Sequence, residues 1–127
     1  MTPRVLIVDD EPDIREIARM SLESVAGWEV LEAADGRAAT EIARAERPDA
    51  VVLDVMMPEL DGPATLALIR EHCHRDELPA LFLTAKAQAF DADRLAELDA
   101  QGAIAKPFDP MTLHAQISAA LGWSETP

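Results

Sequence analysis

Five residues stand where apolar runs stop. Val5–Val8 ends at Asp9 and Asp10, Ala50–Leu53 at Asp54, Ala80–Leu83 at Thr84, and Ala103–Ala105 at Lys106. Three carboxylates, a hydroxyl and an amine have a definite chemistry once they share a site. Two carboxylates about 4 Å apart repel by roughly 4 kcal/mol at an effective dielectric near 20, against a domain stability of only about 5–15 kcal/mol. Such a cluster is costly without a counter-ion. A hard divalent cation relieves it, and Mg²⁺ suits one or two carboxylates together with water and phosphate oxygens. Lys106 adds a permanent positive charge. Metal and lysine are suited to neutralising the charge that spreads over phosphoryl oxygens during transfer. One carboxylate can then attack phosphorus and form an acyl phosphate. Asp54 is the candidate nucleophile because it ends the central apolar run, and Thr84 can hydrogen-bond a phosphoryl oxygen.

The elements that must position these residues alternate along the chain. After Asp10, Pro12 suits the first turn of a helix, where its missing N–H costs nothing. Ile14, Ile17, Ala18, Leu22 and Val25 then recur at helical spacing. A break at Gly27 precedes a short strand around Trp28–Glu32, and a helix is expected over Gly36–Glu46 with Ala39, Ile42 and Ala43 inward. Pro48-Asp49 ends it. Gly62-Pro63 opens a helix containing Leu66 and Ile69, and a fourth helix carries Leu95 and Leu98. Gly102 leads into the strand Ala103–Ala105. Asp109-Pro110 reads as a helix start, with Asp as cap and Pro at the first helical position, and that helix ends near Leu121-Gly122.

Three runs with no polar alternation must be buried on both faces, which means a parallel sheet covered by helices on each side. Five strand–helix pairs give an α/β doubly wound domain. Ligands bind such sheets beyond the carboxyl ends of the strands. Right-handed crossovers make all strands parallel. The five chemical residues then share one edge, provided the first and third strands are neighbours.

The 127 residues fit one domain over 1–127, with a core of about 4–121 and a short polar tail over 122–127. A net charge of −13 argues against direct nucleic-acid binding, which needs a basic face. The one cysteine, Cys73, allows no internal disulfide. No stretch reaches the length of a membrane span, and Met1–Arg4 does not look like a signal peptide. A cytoplasmic protein that does not engage membranes is expected.

The motifs Leu6-Ile7-Val8-Asp9-Asp10-Glu11, Leu53-Asp54-Val55-Met56-Met57-Pro58 with Asp61-Gly62, Leu83-Thr84-Ala85 and Lys106-Pro107-Phe108 occur in that order. With them the chain resembles the receiver domains of bacterial two-component response regulators from Val5 to Leu121. The resemblance implies a flavodoxin-like fold with strand order 2-1-3-4-5. It implies that Asp54 takes a phosphoryl group from a sensor histidine kinase or a histidine phosphotransfer protein. Asp10 would bind Mg²⁺ directly, with Mn²⁺ as a substitute, and Asp9 would act mainly through water. Asp54 and the backbone carbonyl of Met56 would complete the metal site. Thr84 and Lys106 would hold the phosphoryl group, and small Ala85 would leave Thr84 room to move. Lys106-Pro107 would be cis. The domain would be a monomer or a weak phosphorylation-dependent dimer, switching an unknown downstream protein and catalysing only its own phosphorylation and dephosphorylation.

The sequence also departs from that family. An aromatic residue is usual three positions before the lysine, where this chain has Ala103, so coupling outward from Thr84 needs another route, with the loop after Thr84 and Phe90 as candidates. At the positions that tune phosphoryl lifetime stand Met56 and Lys86, and an apolar Met56 predicts slow self-dephosphorylation. His72, Cys73 and His74 could suggest a metal cluster, but adjacent residues do not share a helix face, and a solvated helix end is the expectation. Trp28 and Trp123 read as packing residues. A stand-alone receiver is the leading reading, since too little chain follows Leu121 for an output domain. The alternatives are a receiver excised from a longer regulator or hybrid kinase, an unphosphorylated interaction module, and an α/β phosphatase. The last would want an acid where Met56 stands.

Overall fold

The computed structural model describes residues 2–123. Five strands, β1 (Arg4–Val8), β2 (Glu29–Ala33), β3 (Ala50–Asp54), β4 (Ala80–Thr84) and β5 (Gly102–Ala105), alternate with five helices. These are α1 (Pro12–Ala26), α2 (Gly36–Glu46), α3 (Gly62–Arg70), α4 (Ala92–Leu98) and α5 (Leu113–Leu121), with a single 3-10 turn at Ala87–Ala89. The sheet order is β2-β1-β3-β4-β5, and every pairing is parallel. β1 and β3 are therefore neighbours, the condition on which a shared edge depended.

The unbroken apolar runs divide between two cores. Val5, Ile7, Ala50, Val52, Leu81 and Leu83 pack with Ala18 and Leu22 of α1 and with Leu113 and Ile117 of α5. The alternate residues Leu6, Val8, Val51, Leu53, Ala80 and Phe82 pack with Ala39 and Ala43 of α2 and with Leu66 and Ile69 of α3. Each residue of β3 and β4 is buried, as strands covered on both faces require. Full burial of one such Leu or Val contributes about 1.5–3 kcal/mol. Phe82, at the centre of the second core, has no exposed surface. No helix among the described residues is long and apolar enough to cross a membrane.

Several local expectations shift. Of the apolar set on α1 only Ala18 and Leu22 are buried, while Ile17 is 43% and Val25 39% exposed. Trp28 precedes β2 rather than belonging to it, and packs edge-on against Trp123 (5.6 Å between centroids) and His114 (6.3 Å). Both tryptophans are thus packing residues, as expected. Asp109-Pro110 does not start α5. Asp109 Oδ1 accepts from Met111 N at 2.9 Å and its carbonyl from Thr112 N at 3.0 Å, which closes a turn. The Pro110 carbonyl is turned to the Ser21 hydroxyl of α1, so the helix begins only at Leu113. Part of the expected polar tail, Ser124–Pro127, lies outside the described residues.

The β3–α3 connection depends on one glycine. Gly62 N–H donates to Val55 O at 3.0 Å. A Cβ at Gly62 would stand 2.7 Å from the Asp54 carbonyl oxygen and 3.0 Å from Val55 Cα, both backbone atoms that cannot step aside. Gly62→Ala is expected to destabilise the domain by about 1–3 kcal/mol, as overpacking of a tight site does. Thermal unfolding reads this as a drop of several degrees, and an unchanged melting temperature would show that the loop is looser than described.

Candidate functional site

Parallel strands deliver their carboxyl ends to one edge, and the register sets them side by side. Val8 pairs with Leu53, Asp54 with Leu83, and Thr84 with Ala105. Asp9, Asp54, Thr84 and Lys106 consequently follow one another across β1, β3, β4 and β5, with half-buried Asp10 beside Asp9. Carboxylate oxygens of Asp9, Asp10 and Asp54 lie within 4.8 Å of one another. Lys106 Nζ bridges two of them, 2.9 Å from Asp9 Oδ2 and 3.1 Å from Asp54 Oδ1.

Backbone and side-chain bonds hold this edge. Asp9 Oδ1 accepts from Glu11 N at 2.9 Å, an Asx turn that leads into α1. The Asp9 carbonyl accepts from Arg15 Nη1 at 2.9 Å, and Arg15 is itself fixed by Glu32 at 3.2 Å. Val55 N bonds Leu83 O at 3.1 Å, and Lys106 N bonds Thr84 O at 2.9 Å, so the loops leave their strands in fixed directions. Thr84 Oγ1 accepts from Lys86 N at 3.1 Å. The Lys106–Pro107 peptide is cis, as the motif implied.

The electrostatics follow from burial. Asp9 is completely buried and Asp54 only 3% exposed. Burial raises the Asp54 pKa and the Asp9 charge adds to that, while the Lys106 ammonium and a backbone hydrogen bond from Met56 only partly oppose it. Burial by itself would lower Lys106, but the two carboxylates beside it override the loss of water and its pKa is raised. The Asp9 Oδ2 contact is an ion pair by distance without hydrogen-bond alignment, and that oxygen has no other partner. A buried carboxylate oxygen met only by the lysine, two further acids within reach and a single ammonium make a donor set suited to a hard, oxygen-liganded divalent cation. With all three acids ionised the pocket carries more negative than positive charge.

Other candidates fall elsewhere. His72 and His74 are exposed and Cys73 is buried, and they form no potential metal group among the described residues. His74 Nδ1 instead faces Asp76 at 3.5 Å. The Met56 side chain is 80% exposed at the rim. Arg15 escaped the sequence reading: an arginine on an amphipathic helix looks like a solvated charge, and only the fold brings it to the Asp9 carbonyl. The Asp9-to-Glu11 Asx turn was the detectable signal, since Asp two residues before a backbone N–H at a helix start commonly forms one.

The chain matches the family model of the response regulator receiver domain over residues 5–118. It is 39% identical over 125 residues to the alkaline phosphatase synthesis transcriptional regulatory protein PhoP of Bacillus subtilis, covering 98% of this chain and 51% of that protein. It is 45% identical over 124 residues to the response regulator MprA of Mycolicibacterium vanbaalenii, covering 95% of this chain and 51% of that one. The chain therefore spans about half the length of these curated relatives. Among solved structures, the chemotaxis response regulator CheY4 of Vibrio cholerae superposes with a TM-score of 0.85 at 32% identity, covering 94% of this chain and 99% of that one. The sheet order agrees with these likenesses, and the chain belongs to the response regulator receiver domain family of two-component signal transduction.

Proposed function

We propose that Asp54 accepts a phosphoryl group from a phosphohistidine on a sensor kinase or a histidine phosphotransfer protein. The observation that carries this reading is the Lys106 ammonium set between two buried carboxylates, 2.9 Å from Asp9 and 3.1 Å from Asp54. In the transfer, an Asp54 carboxylate oxygen attacks phosphorus. The P–N bond of the donor breaks, and the imidazole nitrogen leaves with the electron pair and takes up a proton. Lys106 follows the charge from the carboxylate onto the phosphoryl oxygens, and Thr84 donates its hydroxyl to one of them. Asp10, Asp54 and the Met56 carbonyl would hold Mg²⁺ directly, or Mn²⁺ in its place, and Asp9 would do so through water. The bound cation would supply positive charge opposite the phosphoryl oxygens.

A largely apolar groove of about 330 Å³ is lined by Ile14, Ile17, Pro107, Phe108 and Pro110 together with Glu11 and Lys106. Its place next to Lys106 suits the apolar surface of the donor that presents the phosphohistidine. The half-length match to the curated relatives favours a receiver that controls an output segment of a longer regulator, and a separate partner protein is the other outcome. With −13 net charge the receiver itself is no nucleic-acid binder. Cytoplasmic placement, and a monomer that dimerises weakly on phosphorylation, complete the reading.

Intact mass after incubation with Mg²⁺ and a small phosphodonor tests the chemistry. Wild type should gain one phosphoryl group and Asp54→Ala none; no uptake by wild type sinks the reading in favour of an interaction module. Followed over time, the adduct should persist well beyond seconds, because Met56 offers no polar group to orient attacking water.

Metal binding has its own readout. Mg²⁺ at ten times its dissociation constant should stabilise the domain by about 1.4 kcal/mol, seen as a raised melting temperature. Asp10→Ala should abolish the gain, and an equal gain in that variant would move the metal elsewhere.

The raised Asp54 pKa also has a consequence for stability. The folded state holds the Asp54 proton more tightly than the unfolded chain does. Stability is therefore lost as pH rises from the ordinary carboxylate range through the raised value. Without divalent cation, Asp54→Asn should melt above wild type at neutral pH. The difference should shrink below about pH 4, where the carboxyl is protonated in both states. A lower melting temperature for Asp54→Asn at neutral pH would contradict the assignment.

A further inference from the structure

Chemistry at Asp54 does not by itself say how the surface learns of it, and Ala103 offers no aromatic side chain to carry the message. The connection after β4 contains one. Thr84 Oγ1 accepts from Lys86 N at 3.1 Å. Lys86 opens the 3-10 turn Ala87–Ala89, which closes with Phe90 N donating to Ala87 O at 3.0 Å. The Phe90 ring stacks on Phe82, 5.2 Å between centroids and 33° between planes. Phe82 lies on β4 two residues before Thr84 and is paired in register with Ala103. The Ala103 methyl covers little of the large ring beside it, and Phe90, packed against the same core, supplies the cover.

From Phe90 the contacts pass directly into α4. The Arg94 guanidinium carbon lies 5.2 Å from the Phe90 centroid. Asp91, the next residue, caps the helix by accepting from Arg94 N at 2.9 Å. No residue of α4 is buried. Its far end is pinned, because the Asp99 carbonyl accepts from Arg70 Nε at 3.0 Å and Nη2 at 2.6 Å. Leu95 and Leu98 rest partly buried on the core, Arg70 ties the carboxyl end of the helix, and the Phe90 ring meets its amino end through Arg94.

We propose that Phe90 is the positioning residue through which displacement of Thr84 reaches α4, a route that rests on the phosphoacceptor reading of Asp54. When the Thr84 hydroxyl turns toward a phosphoryl oxygen, it either drags the Lys86 amide along or breaks the bond to it. Both disturb the turn whose last hydrogen bond is made by Phe90. The Phe90 ring shifts on Phe82, Arg94 follows its ring, and the amino end of α4 moves while Arg70 keeps the carboxyl end in place.

Hydrogen–deuterium exchange with intact-mass quantification of uptake in the same samples tests this. Wild type, Phe90→Ala and Phe90→Tyr are compared before and after acetyl phosphate with Mg²⁺. All three should take up the phosphoryl group to the same extent, and peptides around Asp54 should respond in all three. The phosphorylation-dependent change over residues 91–98 should appear in wild type and Phe90→Tyr and be lost in Phe90→Ala. If alanine unfolds the chain, Phe90→Leu, which keeps apolar bulk but loses both ring contacts, takes its place with the same outcomes. A full response over 91–98 in the ring-less variant overturns the proposal, as does no response there in phosphorylated wild type. Absence of uptake in wild type overturns the Asp54 reading itself.

Discussion

The site exists because one ammonium is held between two buried carboxylates. Lys106 Nζ sits 2.9 Å from Asp9 and 3.1 Å from Asp54. Asp54 could not stay ionised at low cost in that pocket alone, since burial penalises its charge and Lys106 only partly offsets this. The contact joins residues at the carboxyl ends of β1, β3 and β5, so it forms only when the sheet has its full order. A slip of one residue in a strand would turn its side chains to the opposite face, and the acid and amine would no longer meet. The apolar strands and the polar edge are in this sense one construction: two-sided burial sets the register, and the register sets the charges.

The parts of this that could be read from sequence are those governed by short-range rules. Val5–Val8, Ala50–Leu53 and Ala80–Leu83 show strands buried on both faces because they lack alternation, and the two cores divide them residue by residue. Asp9, Asp54, Thr84 and Lys106 were legible as strand ends, and the family's motif order added their expected roles. The caps were not legible in the same way, since the one expected, at Asp109, is not formed. Asp35, Asp61 and Asp91 each accept from a backbone N–H at the start of a helix. Asp109 has the same local sequence logic yet forms a turn, because the Ser21 hydroxyl engages Pro110 from another helix.

What the sequence hid depends on long-range packing. Ile17 and Val25 keep helical spacing, but α1 is covered over a narrower stripe than that spacing suggests, which leaves them at the surface. Arg15 and Arg70 resemble ordinary solvated arginines. One holds the Asp9 carbonyl and the other gathers the carbonyls of Cys73, Leu78 and Asp99. Burial lowers the Arg70 pKa, although a guanidinium remains charged there. Phe90 was visible as an aromatic residue in a loop, but its partner Phe82 could be identified only once the turn had folded back over β4.

The grip of Arg70 on Asp99 has a mechanical meaning. A helix with the seven residues of α4 is about 10 Å long at 1.5 Å per residue. If its amino end shifts while Arg70 keeps the other end in place, the helix pivots about Asp99. A displacement of about 1 Å at the Phe90 end corresponds to a rotation of roughly 5° for a rod of that length. Asp93, Arg94 and Glu97 all ride on the exposed side of that rod. A modest motion beneath them would thereby become a re-aimed pattern of alternating charge, a form of output that requires no new contact to be built.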